Sequence, residues 1–526
     1  MENNNNNLSR HQQTPEAPKP NIAPDKPGAS PLNQTTLEEE HLSFTEDFKR
    51  RIRRTRTTRW IRFAVVSLLF CGFVVWLGNP WVALLWLLLL DIYITSYIPW
   101  TWWKNSQNKA VRSIMAWVDA IIYALVLVYI IFAFVGQNYK IPSSSLEKSL
   151  LVGDFLWVSK VVYGPRVPQT PLHFPLAQHT MPGWIGGGKS YIEKPQLEYH
   201  RLPGLRSIER GDIVVFNYPQ GDTVIAAAPN EDYYILCSQL RKNGVSDPAA
   251  FIAKHPERFG QLITRPVDRR ENYVKRCVGL PGEWLEIRND MIYINNSPIK
   301  DADHVQYNYV IPVNGIIPDA QWKEIGVRAE DHGNAPIQVD YVPYPFYDVP
   351  LTQEALAEVR KWPQVTGKII KESDTGFFDL GGVWPQHDSY GWTRTDISKF
   401  WIPKRGVTLH LTLNNLPIYR RCVETYEGNH VEVRDGKIYI NGEDNPYYTF
   451  KYDYYWMEGD NRDRSLDSRY WGFVPEDHIV GSPMLVLISV DEERGVFESG
   501  KIRWNRILTN PNPDKSKAGE KGWSGE

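Results

Sequence analysis

The 526-residue sequence predicts a mostly β domain of antiparallel sheets or barrel, preceded by about three transmembrane α-helices. Three observations carry this. Apolar runs follow one another between about residues 61 and 136, each near the ~20 residues a helix needs to cross a bilayer. Basic residues alternate across the segments that join them. Beyond residue 137 helical periodicity is scarce, and short apolar or alternating runs bounded by turn residues replace it.

Residues 1–44 are rich in Asn, Pro, Gln and Glu. They carry too few large apolar side chains to offset ordering entropy, so a disordered cytoplasmic tail is expected, with no cleavable signal sequence at its start. Residues 45–136 form the membrane region, with spans at about 61–78, 81–98 and 115–136. Buried core helices are the alternative reading, but the lengths and the flanking Trp and Tyr favour spans. Asp91 and Asp119 are costly residues within the second and third.

Positive charge sets the orientation. Lys49, Arg50, Arg51, Arg53, Arg54, Arg56, Arg59 and Arg62 precede the first run and should stay in the cytoplasm. Gly78, Asn79 and Pro80 carry no charge and should face outward. Lys104, Lys109 and Arg112 should face inward. Everything beyond about Gly136 is then outside, giving a multi-pass inner-membrane protein with a periplasmic domain at 137–508.

Within that domain Asp212–Phe216, Trp284–Arg288, Met291–Ile294 and Met484–Ile488 read as strands, and Gln353–Lys361 as one short helix. Residues 509–526, rich in Pro, Lys and Gly, are expected to be a flexible tail.

Composition excludes several classes. There are 59 Lys and Arg against 61 Asp and Glu, so no basic excess points to nucleic acid. Cys71, Cys237, Cys277 and Cys422 form no CxxC pair, which disfavours a thiolate zinc site, and the sequence pairs none of the last three. No cofactor or metal is expected.

Two stretches echo each other. Tyr273–Val278 precedes Leu285–Asn295, and Ile418–Val423 precedes Val431–Asn441. Similar hairpins in one barrel, or convergence on a strand pattern, would explain this. Lys275 aligns with Arg420. Arginine cannot release its proton in a protein whereas a buried lysine can, so base chemistry belongs to the Lys275 copy.

Ile141-Pro-Ser-Ser-Ser-Leu146 lies just past the third run. A serine-rich turn is the plain reading. The sharper one is a nucleophile, Ser145, near the bilayer surface. No nearby His fits a Ser-His-Asp arrangement, and neutral lysine is the known alternative base for serine. In a strand, Lys275 would alternate with Val274 and Arg276 and point inward while Arg276 points out; a solvated surface lysine is the alternative. As a base near neutrality it must titrate roughly 2 to 3 units below its ordinary ~10.4. A third cluster, Trp456–Pro475, packs charges and hydroxyls between apolar strands. It is either a salt-bridged loop or a brace for the dyad.

With Gly153-Asp154, Arg210–Phe216, Lys275–Gly282 and Gly459–Asp463 through Ser465, Asp467, Ser468, Arg469 and Tyr470–Phe473, the chain resembles the bacterial type I signal peptidases. These matches cover the two ends of the domain. Residues 165–205, 220–270 and 300–450 read as insertions or variable regions. The resemblance implies a membrane serine endopeptidase that removes signal peptides from exported proteins, cleaving after small residues. It makes Ser145 the nucleophile and Lys275 the general base. The Ser145 N–H and the Ser143 hydroxyl would form the oxyanion hole. Ser465 would orient Lys275, and Asp467 and Arg469 would pair and brace the site. Ile141, Pro142, Leu146, Tyr273 and Val274 would border shallow pockets. Signal-peptide-bearing preproteins, the lipid bilayer and the secretion translocon are the implied partners.

The chain departs from the family pattern at Ser144, Leu146 and Lys148, where Gly, Met and Pro are common. A catalytically silent binding protein and a protease dedicated to one substrate are the alternatives. The intact set Ser143, Ser145, Lys275 and Ser465 argues against the first.

Overall fold

A computed structural model describes residues 44–512 apart from 79, 230, 341 and 375–381. The tail expected at 1–44 and most of that at 509–526 therefore lie outside the described residues. The chain divides into two compact units. One comprises residues up to Val75 with Asn79–Trp100, the other Trp76–Gly78 and Thr101 onward.

In the first unit, helix Phe44–Arg54 precedes helix Thr57–Leu77, which is long and apolar enough to cross a membrane. The second expected span is shorter than the sequence suggests. It is built of three pieces, Pro80–Leu85, Trp86–Leu90 and Asp91–Thr95, and stays below full spanning length. Asp91 is the reason. Its carboxylate accepts the Thr95 hydroxyl at 2.7 Å, the Tyr97 and Ile98 N–H groups at 2.6 and 3.1 Å and the Trp100 indole at 2.9 Å, turning the chain out of the helix. The segment folds back along Thr57–Leu77. Trp86 Nε1 donates to Ser67 Oγ at 2.9 Å, Thr55 Oγ1 to the Ile94 carbonyl at 3.1 Å, and Arg51 Nη1 to the Thr95 and Ser96 carbonyls at 3.1 and 3.0 Å.

The second unit opens on helix Lys109–Ile130, capped by the Asn108 side chain, which accepts the Ala110 N–H at 2.9 Å. It winds more widely through Val135 and is the second helix able to cross a membrane. Ile114, Trp117, Ile121, Ile122, Tyr123 and Val126 stand exposed on it, a surface that lipid would cover.

The helix runs straight into the first strand of an antiparallel sheet. In chain order its strands are β1 (Gly136–Lys140), β2 (Asp154–Ser159), β3 (Ile213–Asn217), β4 (Asn272–Gly279), β5 (Tyr454–Glu458), β6 (Val474–Pro475) and β7 (Ile479–Ser489). Their spatial order is β1-β2-β7-β3-β4-β5-β6. Ile141, Leu146, Leu150, Leu156, Ile213 and Val486 form an apolar core against it, with Val274 packed on the edge.

Two registers matter for function. β3 pairs along β4 from Ile213↔Arg276 to Asn217↔Asn272. On the other flank β5 covers only Arg276–Gly279. Asn272–Lys275 thus keeps an open flank, and β1 is an open edge of the sheet.

The expected echo holds for half of each copy. Hairpins Trp284–Arg288/Met291–Ile294 and Val431–Arg434/Lys437–Ile440 have the same form and share one apolar core. The preceding segments differ: Tyr273–Val278 is strand, whereas Leu416–Arg421 is helix. Pro417 sits in its first turn, and Arg420 pairs with Glu424 one turn on at 2.8 Å, a contact suited to a helix. Arg420 is exposed there, remote in role from Lys275.

Residues 305–371 form a module of their own. Strands Tyr307–Pro312, Phe346–Leu351 and Ile370–Lys371 join in one sheet, and Trp322, Tyr347, Val349 and Leu356 fill a separate core. The expected helix is there as Gln353–Val359. Cys237, Cys277 and Cys422 are buried free thiols.

Candidate active site

β1 delivers the chain to a single tight helical turn, Ser144–Leu146. Leu146 is sunk in the apolar core, which fixes the turn and leaves the Ser145 side chain facing β4. The Lys275 Nζ donates to Ser145 Oγ at 2.6 Å. Both side chains are buried, at 7% and 4% exposure, and 130 residues apart in sequence. The separation is that of a nucleophile and its base.

Burial dominates the electrostatics of Lys275. It brings the amine down to about 8; Asp467 and Asp460 pull it back up and Arg469 pushes it down. This is the fall that the sequence argument required. At that value about a tenth of the amine is neutral at pH 7 and about half at pH 8, enough for the group to accept a proton.

Three pairings brace the dyad. Arg469 Nε and Nη2 donate to the Asp467 carboxylate at 2.9 and 2.8 Å, and the same carboxylate accepts the Gly459 N–H at 3.1 Å. Burial opposes the charge on Asp467, yet the Arg469 guanidinium holds its carboxyl below the ordinary value. The expected pairing of these two residues is present.

Arg276 departs from its expected solvent exposure. It lies on the strand face opposite Lys275 but is 4% exposed. Its Nε and Nη2 donate to Asp460 at 2.8 and 2.7 Å, and Nη2 also reaches Ser149 Oγ at 3.1 Å. One guanidinium thus ties the serine loop to the third cluster. A buried carboxylate opposite it is what makes an inward arginine tolerable.

Asn461 completes the brace. Its N–H donates to the Ser145 carbonyl at 3.1 Å and its Nδ2 to the Ser144 carbonyl at 3.2 Å.

Other expected site residues fall less uniformly. Ile141, Leu146 and Val274 share one apolar cluster. Pro142 and Ser143 are exposed beside it. Tyr273 stacks on Tyr218 with ring centroids 4.3 Å apart and packs against Trp471, and its ring centroid also lies 5.9 Å from Lys275 Nζ. Ser465 is fully buried, and its Oγ has no hydrogen-bond partner among the described residues, Lys275 included.

The sequence has relatives of known kind. The family described as "Signal peptidase, peptidase S26" matches residues 114–316 and 444–488. Signal peptidase I of Buchnera aphidicola subsp. Acyrthosiphon pisum (strain APS) is 55% identical over 400 residues, covering 72% of this chain and 76% of that protein. The chain belongs to the signal peptidase family, peptidase S26. It is therefore a peptidase, a hydrolase. Signal peptidase I of Helicobacter pylori (strain J99 / ATCC 700824) is 22% identical over 412 residues, covering 76% of this chain and 94% of that protein. Signal peptidase I of Haemophilus influenzae (strain ATCC 51907 / DSM 11121 / KW20 / Rd) is 23% identical over 410 residues, covering 77% and 78%.

The two segments matched to the signal peptidase family contain both halves of the site, Ser145 with Lys275 and Gly459–Arg469. Residues 317–443 lie between them, within the stretch expected as insertion. The 305–371 module nonetheless grips the site. Gln306 N–H donates to the Asp460 carbonyl at 2.8 Å, Arg462 N–H to the Gln306 carbonyl at 2.9 Å, and Asn308 N–H to Asp463 Oδ2 at 2.8 Å. Lys148, a departure from the family pattern, adopts a left-handed φ of 75° and donates to the Gly326 carbonyl. The adjoining Glu147 sits 3.5 Å from Arg328.

Sequence reasoning assigned no role to Ser149, Arg276, Gly459, Asp460 or Asn461 in holding the serine loop. All but Ser149 fall within its quoted motifs. The signal available was the density of charge in a segment flanked by strands, which is costly to bury unless it is paired.

Proposed function

We propose that this chain is a membrane-bound serine endopeptidase that removes N-terminal signal peptides from exported proteins, cutting after small residues. The observation that carries the reading is the buried 2.6 Å contact between Lys275 Nζ and Ser145 Oγ. Family membership supplies the reaction class.

In this reading Ser145 Oγ attacks the carbonyl carbon of the residue before the cut while neutral Lys275 takes its proton. The Ser145 N–H and the Ser143 hydroxyl receive the developing oxyanion. The Lys275 ammonium then protonates the leaving amine, and water, activated by the same amine, releases the acyl group from Ser145. Asp467 and Arg469 brace Lys275. The open flanks of β1 and of Asn272–Lys275 suit an extended peptide entering as an added strand. Ile141, Leu146 and Val274 give that strand an apolar floor with little room, as small side chains need.

The topology belongs to the same proposal. Basic residues 49–62 and 104–112 stay in the cytoplasm, the chain crosses three times, and the domain beyond Gly136 works on the periplasmic side of the inner membrane. The contacts of Arg51 with Thr95 and Ser96 support a helical hairpin that begins and ends on one side. A short apolar return segment is tolerable where the bilayer thins around it. Preproteins delivered by the secretion translocon are the substrates.

The test is detergent-solubilised protein incubated with a signal-bearing precursor, beside Ser145→Ala and Lys275→Ala. Cleavage after a small residue, shown by sequencing the new N-terminus and lost in both variants, is the expected result. Normal turnover by either folded variant overturns the assignment.

A further inference from the structure

A cavity of about 460 Å3 opens beside β1, at the end of helix Lys109–Val135. β1 gives one wall through Gln137–Lys140, and Asn272 at the start of β4 gives another. A third comes from Pro175–Gln178, inside residues 165–205, the stretch expected as an insertion or variable region. That stretch is seated on the helix: Tyr129 donates to the Pro171 carbonyl at 2.8 Å, and its ring lies 5.0 Å from that of His173.

The cavity holds more positive than negative charge. Lys140 is neutralised outside by Glu492 at 2.5 Å. Lys160, Arg166 and Arg269 remain against one carboxylate, Asp268. Lys160 donates to the Phe132 carbonyl, which anchors the helix end, but meets no carboxylate among the described residues. Arg166 donates to neutral oxygens, Asn217 Oδ1 at 2.7 Å and the Asp477 carbonyl. Arg269 is 8% exposed, lies 3.6 Å from Asp268, and its Nε is buried without a partner. Asp268 is itself occupied by the Thr170 N–H and hydroxyl at 2.9 and 2.8 Å. Burial, helped by Arg166 and Arg269, brings Lys160 down to about 7. Arg166 and Arg269 stay charged, and an incoming anion would draw Lys160 back to its charged form.

Position says which anion. Asn272 is three residues from Lys275 along β4, about 10 Å at strand spacing. A peptide laid along the open flanks from the dyad toward the helix end therefore brings its fourth to sixth residues before the cut over the cavity. Resting on the proposed signal-peptidase reading, we infer that this cavity is a substrate subsite for an acidic side chain four to six positions before the cut, held by Lys160 and Arg269. The 165–205 stretch builds its outer wall and so contributes to substrate choice.

The experiment uses the full chain in neutral detergent and three precursor peptides that carry Asp, Asn or Lys at the fifth position before the cut. The expected result is a kcat/KM for the Asp peptide roughly tenfold above the Lys peptide, the scale of one charge-assisted hydrogen bond. That ratio should collapse toward one in Lys160→Met and in Arg269→Gln, and persist in Lys160→Arg. Because each ratio compares peptides within one preparation, partial loss of folded enzyme cancels. Equal rates for the three peptides overturn the subsite, as does a ratio unchanged in both charge-removing variants. If phosphatidylglycerol in the micelles accelerates all three peptides alike with no preference among them, the cavity serves a lipid headgroup and the subsite is wrong. If the folded enzyme cleaves none of them, the signal-peptidase reading fails with it.

Discussion

Asn461 Nδ2 donates to the Ser144 carbonyl at 3.2 Å across 317 residues of sequence, while its N–H holds the Ser145 carbonyl at 3.1 Å. Leu146 anchors the serine turn in the apolar core, and Asn461 holds its carbonyls from the far end of the chain. Asn461→Ala removes the side-chain half of this clamp. We expect kcat to fall about tenfold to a hundredfold with KM little changed, because a small displacement of a nucleophile is costly. Steady-state kinetics on a precursor peptide checks this.

Gly459 lies between the two clusters. A methyl group there would stand 2.2 Å from Ser465 Oγ and 2.6 Å from the Ser145 carbonyl oxygen. Ser465 Cβ would stand at 2.6 Å as well, so turning the Ser465 side chain does not clear the site, and the Ser145 oxygen is backbone of the serine turn. Gly459→Ala should therefore lower kcat at least about tenfold and destabilise by roughly 1–3 kcal/mol, the usual scale of overpacking. Thermal unfolding and turnover measured on the same sample test both.

Lys275 governs the pH dependence. With its amine near 8, kcat/KM should rise with pH through about 8 as the neutral base forms. Stability moves in the same direction. The folded value lies below the unfolded value, so the unfolded state binds more protons between them, and stability increases as pH climbs from about 8 toward 10.5. Below pH 8 the buried ammonium costs about 3 kcal/mol. Lys275→Met should abolish cleavage yet unfold at higher temperature than wild type at pH 7, and the gap should narrow by pH 10.

The Arg276–Asp460 pair is a separate test of support. Arg276→Met leaves Asp460 buried with the Ser149 Oγ donor at 2.7 Å and, among the described residues, the more distant charge of Arg462. Breaking a buried pair from one side costs about 3–5 kcal/mol, so denaturant unfolding should shift by that amount. Activity should fall as well, since Ser149 and Asp460 lose the guanidinium that both contact. The double variant Arg276→Met/Asp460→Leu should recover part of the stability.

Much of this site was legible in the residues. Ser145, Lys275, Asp467 and Arg469 are chemically distinctive, and their placement beside an apolar run or within a strand pattern narrows what each can do. Arg276 does lie on the face opposite Lys275, but its exposure was misread, because alternation along a strand separates two faces without saying that one of them is wet. β4 is central, so both faces are covered. The short return segment was misread because apolar length alone does not register the four hydrogen bonds that Asp91 accepts at its end. The helix at Leu416–Arg421 was hidden by its likeness to a strand sequence; Pro417 and the Arg420–Glu424 spacing were the available clues.

By itself, the sequence determined the two apolar helices Thr57–Leu77 and Lys109–Val135 and the alternating strands, and it singled out Ser145 and Lys275 as candidates, because each depends on side chains close together in the chain. Tertiary structure decided the rest. Whether Lys275 loses its charge depends on burial by β3, the serine turn and the third cluster. Which residues hold Ser145 depends on Asn461, Gly459 and Asp460 arriving from more than 300 residues away. Desolvation and hydrogen bonding across such distances are properties of the packed chain, and no local pattern encodes them.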